Sequence, residues 1–370
     1  MAARCSEIIA IMEALAPPEL AVEWDNVGLM LGSPAAEVRR VLVCLDVTAP
    51  VAAEATARGA NLIISHHPLF FRPLKALRFD EARGDLVRRL IQENIMVYSA
   101  HTNLDSADLG VSYHLAARLE LEDIQVLRPT HQEKYIKLVT FIPEEHEKVV
   151  REALTRAGAG WIGNYSDCTF RVAGTGTFRP LAGTRPYIGQ EGQVAEVKEY
   201  RLETIIPKAR LKEVLPALFK AHPYEEVAYD LDPLANEGPA QGIGRIGVLS
   251  QAVSLEEFAL QVKEHLGAAR VNVVGDREHK VKKVAVCGGA GSDIMATART
   301  NGADVLVTGD LKFHEAQAAA SMGLAVIDAG HFATERIIVP ALVTYLQEQL
   351  QEREVMVLAS QKEQEPWHVF

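Results

Sequence analysis

Short apolar runs rich in β-branched residues alternate along the chain with segments of helical composition. RRVLVCLDVT at 39–48 predicts a strand, APVAAEATARGA at 49–60 predicts a helix ending near Gly59, and NLIISHHP at 61–68 predicts a second strand. The connections between these segments are short, so the two strands are expected to be parallel and joined by a right-handed crossover. The pattern therefore predicts an α/β fold.

The same strand–helix–strand unit returns near the C-terminus. VKKVAVCGGAGSDIMATARTNGADVLVTGDLKFH at 281–314 aligns without a gap with VRRVLVCLDVTAPVAAEATARGANLIISHHPLFF at 38–71, which places Cys44 opposite Cys287. A generic match of composition between two such units is the alternative explanation. One constant offset over a whole unit favours two similar, duplicated halves.

Each unit is followed by another predicted strand that ends in His-x3-carboxylate. NIMVYSAHTNLD carries His101 and Asp105, and GLAVIDAGHFATE carries His331 and Glu335. In a parallel α/β sheet, functional groups collect where strands end and loops begin. Both halves are therefore expected to deliver potential metal ligands at the same kind of position.

The segment between the halves has a different element order. It predicts strands at 135–143, 170–180, 193–207 and 225–234, and helices at 144–158 and 208–222. That order, βαββαβ, is typical of a ferredoxin-like domain. We therefore predict one α/β domain formed by residues 1–128 and 235–370, interrupted by an inserted α+β domain at 129–234.

Composition limits the possible environments and partners. Of 370 residues, 48% are hydrophobic and 24% charged, and the net charge of −11 gives no general attraction to nucleic acid or to an anionic membrane. The first twenty residues predict an amphipathic helix instead of a signal peptide. No uncharged apolar run reaches the roughly 18 residues of a membrane span. The four cysteines form no CxxC pair, which fits a reducing cytoplasm.

Two adjacent histidines end the second predicted strand. His66 and His67 follow an apolar run and precede Pro68. A buried, hydrogen-bonded histidine pair is the structural alternative, but it would leave the two His-x3-carboxylate strand ends unexplained. Histidine and carboxylate without cysteine suit Zn²⁺, Mn²⁺, Fe²⁺, Co²⁺ or Ni²⁺. So many candidate ligands allow two ions about 3.5–4 Å apart, bridged by one carboxylate.

Several motifs together resemble one known family. EWDNVGLMLG, LDVT, ANLIISHHPLFF, HTNLD, GIGRIG, CGGAGSD, ADVLVTGD and GHFATE are similar to those of the Nif-three-like dinuclear-metal proteins, whose bacterial members are labelled GTP cyclohydrolase I type 2 homologues. The resemblance covers essentially the whole chain. It implies two divalent ions per chain, Zn²⁺ first among them, and a toroidal homohexamer. It also implies that the insert at 129–234 is similar to PII or CutA proteins.

The resemblance further implies the ligand set. One ion would be held by His66 and His331, the other by His67 and Asp105, and Glu335 would bridge both.

Other residues keep two interpretations. Trp24, Asp25 and Asn26 could line the metal cleft and bind substrate, or Asp25 and Asn26 could form a turn with Trp24 as its hydrophobic anchor. His101 could be a general acid/base, or it could orient Asp105.

Two C-terminal features also allow a second interpretation. The glycines of CGGAGSD could cradle a phosphate, but tight strand–helix packing explains them better. Asp310 and His314, four residues apart, could hold a metal, but orienting the ligands or lying at the rim of the cleft is the better interpretation.

The predicted function is that of a metal-dependent hydrolase acting on a nucleotide or a related phosphorylated compound. The alternative is a non-enzymatic metal-handling or regulatory protein whose insert serves as a sensor or assembly module. A candidate proton shuttle at His101 favours hydrolysis, whereas the lack of a recognisable purine- or ribose-reading motif favours the alternative. Binding to nucleic acid is poorly supported by the negative charge, and no membrane partner is expected.

Overall fold

The computed structural model describes residues 2–369 as a mixed α/β protein with several sheets. The strands are β1 (Ala3–Arg4), β2 (Gly28–Leu31), β3 (Glu37–Val38), β4 (Arg40–Cys44), β5 (Leu62–Ser65), β6 (Met96–Ser99), β7 (Glu122–Pro143), β8 (Thr169–Phe178), β9 (Ala195–Pro207), β10 (Tyr229–Ser254), β11 (Asn272–Val274), β12 (Lys280–Ala290), β13 (Val305–Gly309), β14 (Ala325–Asp328) and β15 (Met356–Ala359).

The α-helices are α1 (Cys5–Leu15), α2 (Ala49–Arg58), α3 (Ala82–Gln92), α4 (Thr102–Ser106), α5 (Val111–Arg118), α6 (Glu147–Arg156), α7 (Leu211–Ala221), α8 (Leu255–Leu266), α9 (Met295–Thr300), α10 (Phe313–Met322), α11 (His331–Glu335) and α12 (Ile338–Gln349). Short 3₁₀ turns cover Pro18–Leu20, Glu144–His146, Lys208–Arg210 and Ser292–Ile294.

The chain divides into two compact units. The first unit holds the chain up to His131 and from Gln241 onwards, and the second holds Gln132–Ala240. Whether these units are domains that fold independently, with boundaries at 129 and 234, stays a prediction.

One sheet of the first unit has the strand order β15-β4-β5-β6-β2. Strands β4 and β5 are parallel and pair from Val41 with Leu62 to Cys44 with Ser65, which confirms the first predicted strand–helix–strand unit. Between them, α2 starts where the Thr48 side chain accepts a hydrogen bond from the Val51 amide. It ends at Gly59, which has the left-handed conformation (φ 65°) that glycine adopts without a steric cost.

The C-terminal part of the first unit carries strands in the order β11-β14-β13-β12-β10. Strands β12 and β13 are parallel, as predicted, with Val284 opposite Val305. The connecting helix differs from α2 because it begins as a 3₁₀ turn and α9 itself has only six residues. Gly291 precedes this turn and offers no side chain to cap the first amides. The relation of the two halves by duplication stays a prediction.

Both faces of the five-stranded sheet are covered, so its strands are apolar throughout. Val41 and Val43 face a cluster that includes Ile8 of α1 and Leu342 of α12. Their neighbours Leu42 and Cys44 point the other way, and they pack with residues of α2 and α3 such as Val51 and Leu90. Burial on both faces explains why the sequence shows continuous apolar runs here instead of alternation.

The second unit contains the predicted βαββαβ element order, with β7 and β10 as its outer members in sequence. Its strands lie in the order β10-β7-β9-β8, and β9 pairs antiparallel with both β7 and β8. Leu138, Leu202, Val150 and Leu218 lie in the hydrophobic core between this sheet and helices α6 and α7. Similarity of this unit to PII or CutA proteins stays a prediction.

Across residues 2–369, no helix combines the length and the apolar composition that a membrane crossing requires.

Candidate metal centre

The two adjacent histidines stand at the carboxyl end of β5. The backbone amides of His66 and His67 continue the hydrogen bonding to the neighbouring strand by donating to Cys44 and Leu45 carbonyls at 3.1 and 2.8 Å. The Ser65 hydroxyl then donates to the His67 carbonyl at 2.8 Å, which ties down the turn after the strand. Held in this way, the His66 and His67 side chains reach different parts of one cluster of histidines and carboxylates.

Four imidazoles in this region have the same kind of anchor. The Nδ1 atom of His66 lies 2.9 Å from the Ala100 carbonyl. For the other three histidines the acceptor is a carboxylate, also at 2.9 Å: Asp46 for His67, Asp25 for His101 and Asp310 for His331. An acceptor at Nδ1 places the proton on that nitrogen and leaves Nε2 to face a ligand, which is the arrangement of metal-binding histidines.

The Nε2 atoms converge on the Glu335 carboxylate. Oε2 of Glu335 lies 3.0 Å from Nε2 of His67 and 3.0 Å from Nε2 of His331, and Oε1 lies 3.8 Å from Nε2 of His66. The side chains form two sets of three, and within each set the potential ligand atoms lie within 4.8 Å of one another. His66, His67 and His101 form one set, and His67, His331 and Glu335 form the other. Donors this close are able to hold metal ions.

A buried nitrogen marks the other side of the cluster. Nε2 of His66 is fully buried and has no hydrogen-bond partner among the described residues. Its nearest carboxylate, Asp105, stands 3.6 Å away. Burial opposes protonation of His66, but the charges of Asp105 and Glu335 raise its pKa above the usual value. A buried polar atom without a partner is costly, and an ion between His66 and Asp105 would satisfy it.

The protonation states follow from the same contacts. Burial opposes the charge of His67, but hydrogen bonds to Asp46 and Glu335 raise its pKa to about 10. The hydrogen bond to Glu335 likewise raises the pKa of His331 to about 9, against the effect of burial. Burial alone would raise the pKa of Glu335, but the imidazoles of His331, His66 and His67 hold it well below its ordinary value. Without metal, protons therefore occupy the positions where cations would bind.

The distances favour a different pairing from the one that the resemblance implies. It pairs His66 with His331, and His67 with Asp105. In the structure, His66 is next to Asp105, and His67 shares the Oε2 atom of Glu335 with His331. For His66 the reason is the strand order, because β5 lies beside β6, and β6 leads into helix α4, which carries Asp105.

The turn near Asp25 spans Val22–Asp25, with the Asp25 amide donating to the Val22 carbonyl at 3.0 Å, and Asp25 borders the candidate centre. The Asp25 carboxylate is fully buried and accepts hydrogen bonds from His101 and from the amide and hydroxyl of Thr102. Burial opposes its charge, but these donors lower the pKa of Asp25 to about 2. Trp24 is 62% exposed with its ring centroid 6.4 Å from that of His101, and Asn26 donates to the Phe70 carbonyl.

Sequence reasoning missed the role of Asp46, which anchors His67. Its signals were its place two residues after β4, at the carboxyl edge of the sheet, and its membership of the LDVT motif. Asp310 orients His331, as one of the sequence interpretations held. His314 hydrogen-bonds Gln317 on its own helix instead.

The glycines of CGGAGSD make room for the Glu335 carboxylate. A Cβ at Gly289, whose φ is +61°, would lie 2.2 Å from Oε1 of Glu335, and a Cβ at Gly288 would lie 2.5 Å from Val111. These contacts support the packing interpretation of the glycines.

A cavity of about 510 Å³ opens beside His67 and His331. Two arginines, Arg270 and Arg336, line it together with the indole of Trp367. Its size suits a small metabolite.

Comparison with known proteins shows which family the chain matches. The family model described as Duf34/NIF3 (NGG1p interacting factor 3) matches residues 3–366. Curated relatives called "GTP cyclohydrolase 1 type 2 homolog" occur in Halalkalibacterium halodurans, with 46% identity over 362 residues and 97% of each chain covered, and in Bacillus subtilis, with 46% identity over 327 residues and 88% of each chain covered.

Solved structures share the fold. A Bacillus cereus protein related to NIF3 superposes with a TM-score of 0.95 at 44% identity and full coverage of both chains. Staphylococcus aureus protein SA1388 matches with a TM-score of 0.80 at 30% identity, covering 100% of this chain and 99% of its own.

Proposed function

The chain belongs to the Duf34/NIF3 family, and on that premise we propose that it binds two divalent metal ions and hydrolyses a nucleotide or a related phosphorylated compound. The observation that carries the proposal is the set of four histidines whose Nδ1 atoms each meet an oxygen at 2.9 Å, which leaves no ring nitrogen but Nε2 for a metal ion. Structural histidines rarely share such an arrangement, whereas metal-binding histidines commonly do.

We assign the ligands by proximity. His66, Asp105 and Oε1 of Glu335 would hold one ion, and His67, His331 and Oε2 of Glu335 would hold the other. Glu335 thus bridges the pair. Nitrogen and carboxylate donors without thiolate fit Zn²⁺ or another borderline divalent ion.

When bound, two such ions activate water and neutralise charge that develops on a phosphate or carbonyl oxygen. His101 is the residue best placed to move a proton beside them. Its Nδ1 proton is held by Asp25, so Nε2 is the atom that accepts a proton, and its ring lies 5.3 Å from that of His66 and 5.7 Å from that of His67. Asp25 holds the ring in this orientation.

The cavity beside His67 and His331 supports a phosphorylated substrate. Its lining carries four carboxylates, those of Asp46, Asp310, Asp328 and Glu365, beside Arg270 and Arg336, so a phosphate would need the bound ions as well as the two guanidinium groups to offset its charge. Trp367, 73% exposed, offers an aromatic face to a base. The curated relatives are called GTP cyclohydrolase 1 type 2 homologs, a name that is consistent with a nucleotide substrate.

The test has two steps. Protein purified without chelators is analysed for metal and should hold two divalent ions per chain. The loaded protein is then screened against nucleoside mono-, di- and triphosphates and simple phosphoesters, with Glu335→Ala as the control for contaminating activity. Protein that binds two ions but turns over none of these compounds would favour the metal-handling alternative. Protein that binds no ion would contradict both.

A further inference from the structure

A second cavity lies wholly within the second unit and has no part in the metal centre. Its volume is about 510 Å³, and its walls come from the end of β8, the loop that follows it, β9 and the segment before β10. The size is that of a site for a small metabolite.

The walls are largely aromatic. Phe178 and Tyr224 meet edge to face with ring centroids 5.6 Å apart, and Tyr187 lies 6.4 Å from Tyr224. Phe141 closes the side towards β7, and Pro180 is buried beneath the loop. Aromatic faces carry partial negative charge, so rings arranged around a cavity attract cations as well as apolar groups.

A carboxylate lies inside this aromatic wall. Glu199 is only 7% exposed, and its Oε1 atom accepts a hydrogen bond from the Tyr224 hydroxyl at 2.8 Å. Its Oε2 atom lies over Gly176, where a Cβ would come within 2.0 Å. Among residues 2–369, no lysine, arginine or histidine lies within ion-pair distance of Glu199. The Tyr224 hydroxyl contacts Oε1 alone, so Oε2 is free to accept a hydrogen bond from a cationic ligand in the cavity.

The remaining charged residues that line the cavity also favour a cation. Glu225 and Glu226 also line it, whereas Arg179 is the one basic residue in the lining. The Glu225 carboxylate accepts two contacts from the Arg185 backbone amide, which leaves its charge in place. The cavity is therefore net acidic, and it disfavours phosphates and carboxylates.

We propose that this cavity binds a small organic ammonium ion with an apolar or aromatic body. The ammonium group donates to Oε2 of Glu199, and the body packs between Phe178, Tyr187 and Tyr224. A bare metal ion does not fit, because hard cations need several oxygen ligands and Glu199 is the one buried carboxylate there.

The test uses the full chain, loaded with zinc, and three fluorinated probes of one shape. These are 4-fluorophenethylammonium, the neutral 2-(4-fluorophenyl)ethanol and the anionic 3-(4-fluorophenyl)propanoate. Binding is followed by ¹⁹F line broadening and by calorimetry. We expect the ammonium probe to saturate and the neutral probe to bind at least about tenfold more weakly, because a charge-assisted hydrogen bond is lost. The anion should not bind.

Variants locate the site. Glu199→Gln keeps the volume of the side chain and should weaken binding of the ammonium probe by about tenfold or more. Glu196→Gln, on the same strand but exposed and outside the cavity, should change nothing. Chelator-treated and zinc-loaded wild-type protein should bind the ammonium probe equally, because the cavity lies within the second unit, so the outcome does not depend on the metal proposal.

Equal binding of the ammonium and neutral probes to the unmodified protein would overturn the proposal, and this comparison needs no variant to fold. Full binding by a folded Glu199→Gln protein would overturn it too. So would the absence of saturable binding by the ammonium probe.

Discussion

At the scale of single residues, the candidate centre depends on the partners of its histidines. Each imidazole is held at Nδ1, so its orientation is set before any ion arrives. Glu335 provides both oxygens around which the Nε2 atoms gather. Such preorganisation lowers the entropy lost when a ligand binds.

Glu335→Ala should lose most of both ions, because one side chain supplies an oxygen to each proposed site. Metal content measured by elemental mass spectrometry on protein purified without chelators gives the result. Glu352→Ala, an exposed glutamate beyond α12, is the matched control and should keep both ions. Full metal content in Glu335→Ala would mean that Glu335 does not bridge.

His101→Ala should keep both ions and lose hydrolysis of the true substrate by about 10²–10⁴-fold, the usual cost of removing a general acid/base. The measurements are metal content and kcat on the same preparation. Asp25→Asn should also lower kcat, because it removes the acceptor that orients the His101 ring. Loss of metal from His101→Ala would make His101 a ligand, and unchanged turnover would remove its catalytic role.

Metal affinity should rise with pH. The pKa values of about 10 for His67 and about 9 for His331 mean that both rings are protonated at neutral pH in metal-free protein. An ion held by both must displace two protons, so its affinity should increase about 100-fold per pH unit between pH 6 and 8. Competition with a chelator of known pH dependence measures this slope. A flat profile would contradict the assignment of these two rings to one ion.

The same shifts give the metal-free protein the opposite stability trend. Both pKa values are raised above the usual 6.5, so their contribution to stability is complete below pH 6.5. It is lost as the pH rises through about 9 to 10.

At the scale of elements, strand ends and the turns after them determine which side chains meet. Helices α4 and α11 are single short turns that begin directly after a strand end and carry Asp105 and Glu335. The glycines at the end of β12 allow α11 to approach closely. The packing of elements thus sets the position of the bridging carboxylate.

Gly289→Ala should reduce both metal content and stability. The left-handed φ costs a non-glycine residue about 1–2 kcal/mol, and the new Cβ would displace the Glu335 carboxylate. Gly302→Ala is the matched control, since Gly302 has a φ of +76° and open space around the new Cβ. It should lower the melting temperature and keep both ions. Equal metal content in the two variants would mean that Gly289 is not needed to position the Glu335 carboxylate.

At the scale of the whole molecule, every proposed metal ligand lies in the first unit, and the proposed ammonium site lies in the second. The chain leaves the first unit at His131 and returns at Gln241. The Thr130 hydroxyl lies 3.5 Å from the Gln241 carbonyl, so the exit and the return are neighbours. The toroidal hexamer that the resemblance implies stays a prediction.

Replacing Gln132–Ala240 with a short glycine-containing linker should leave a folded core that still binds two ions. The reason is that the deleted segment supplies no ligand, and the two ends to be joined already lie close together. A cooperative thermal transition and the metal content per chain are the measurements. A protein that stays unfolded after the joint has been varied in length would contradict independent folding of the first unit.

The sequence by itself determined the local elements and the types of the ligands. The parallel strand pairs, the end of α2 at Gly59 and the two His-x3-carboxylate turns follow from apolar runs, glycine positions and spacing, which act over a few residues. Tertiary structure alone decided which histidine stands by which oxygen. His67 and Glu335 are 268 positions apart and follow strands of different sheets, so no local pattern reports the distance between them. The anchor role of Asp46 and the buried Glu199 stayed hidden for the same physical reason, since burial and proximity arise only when distant segments pack.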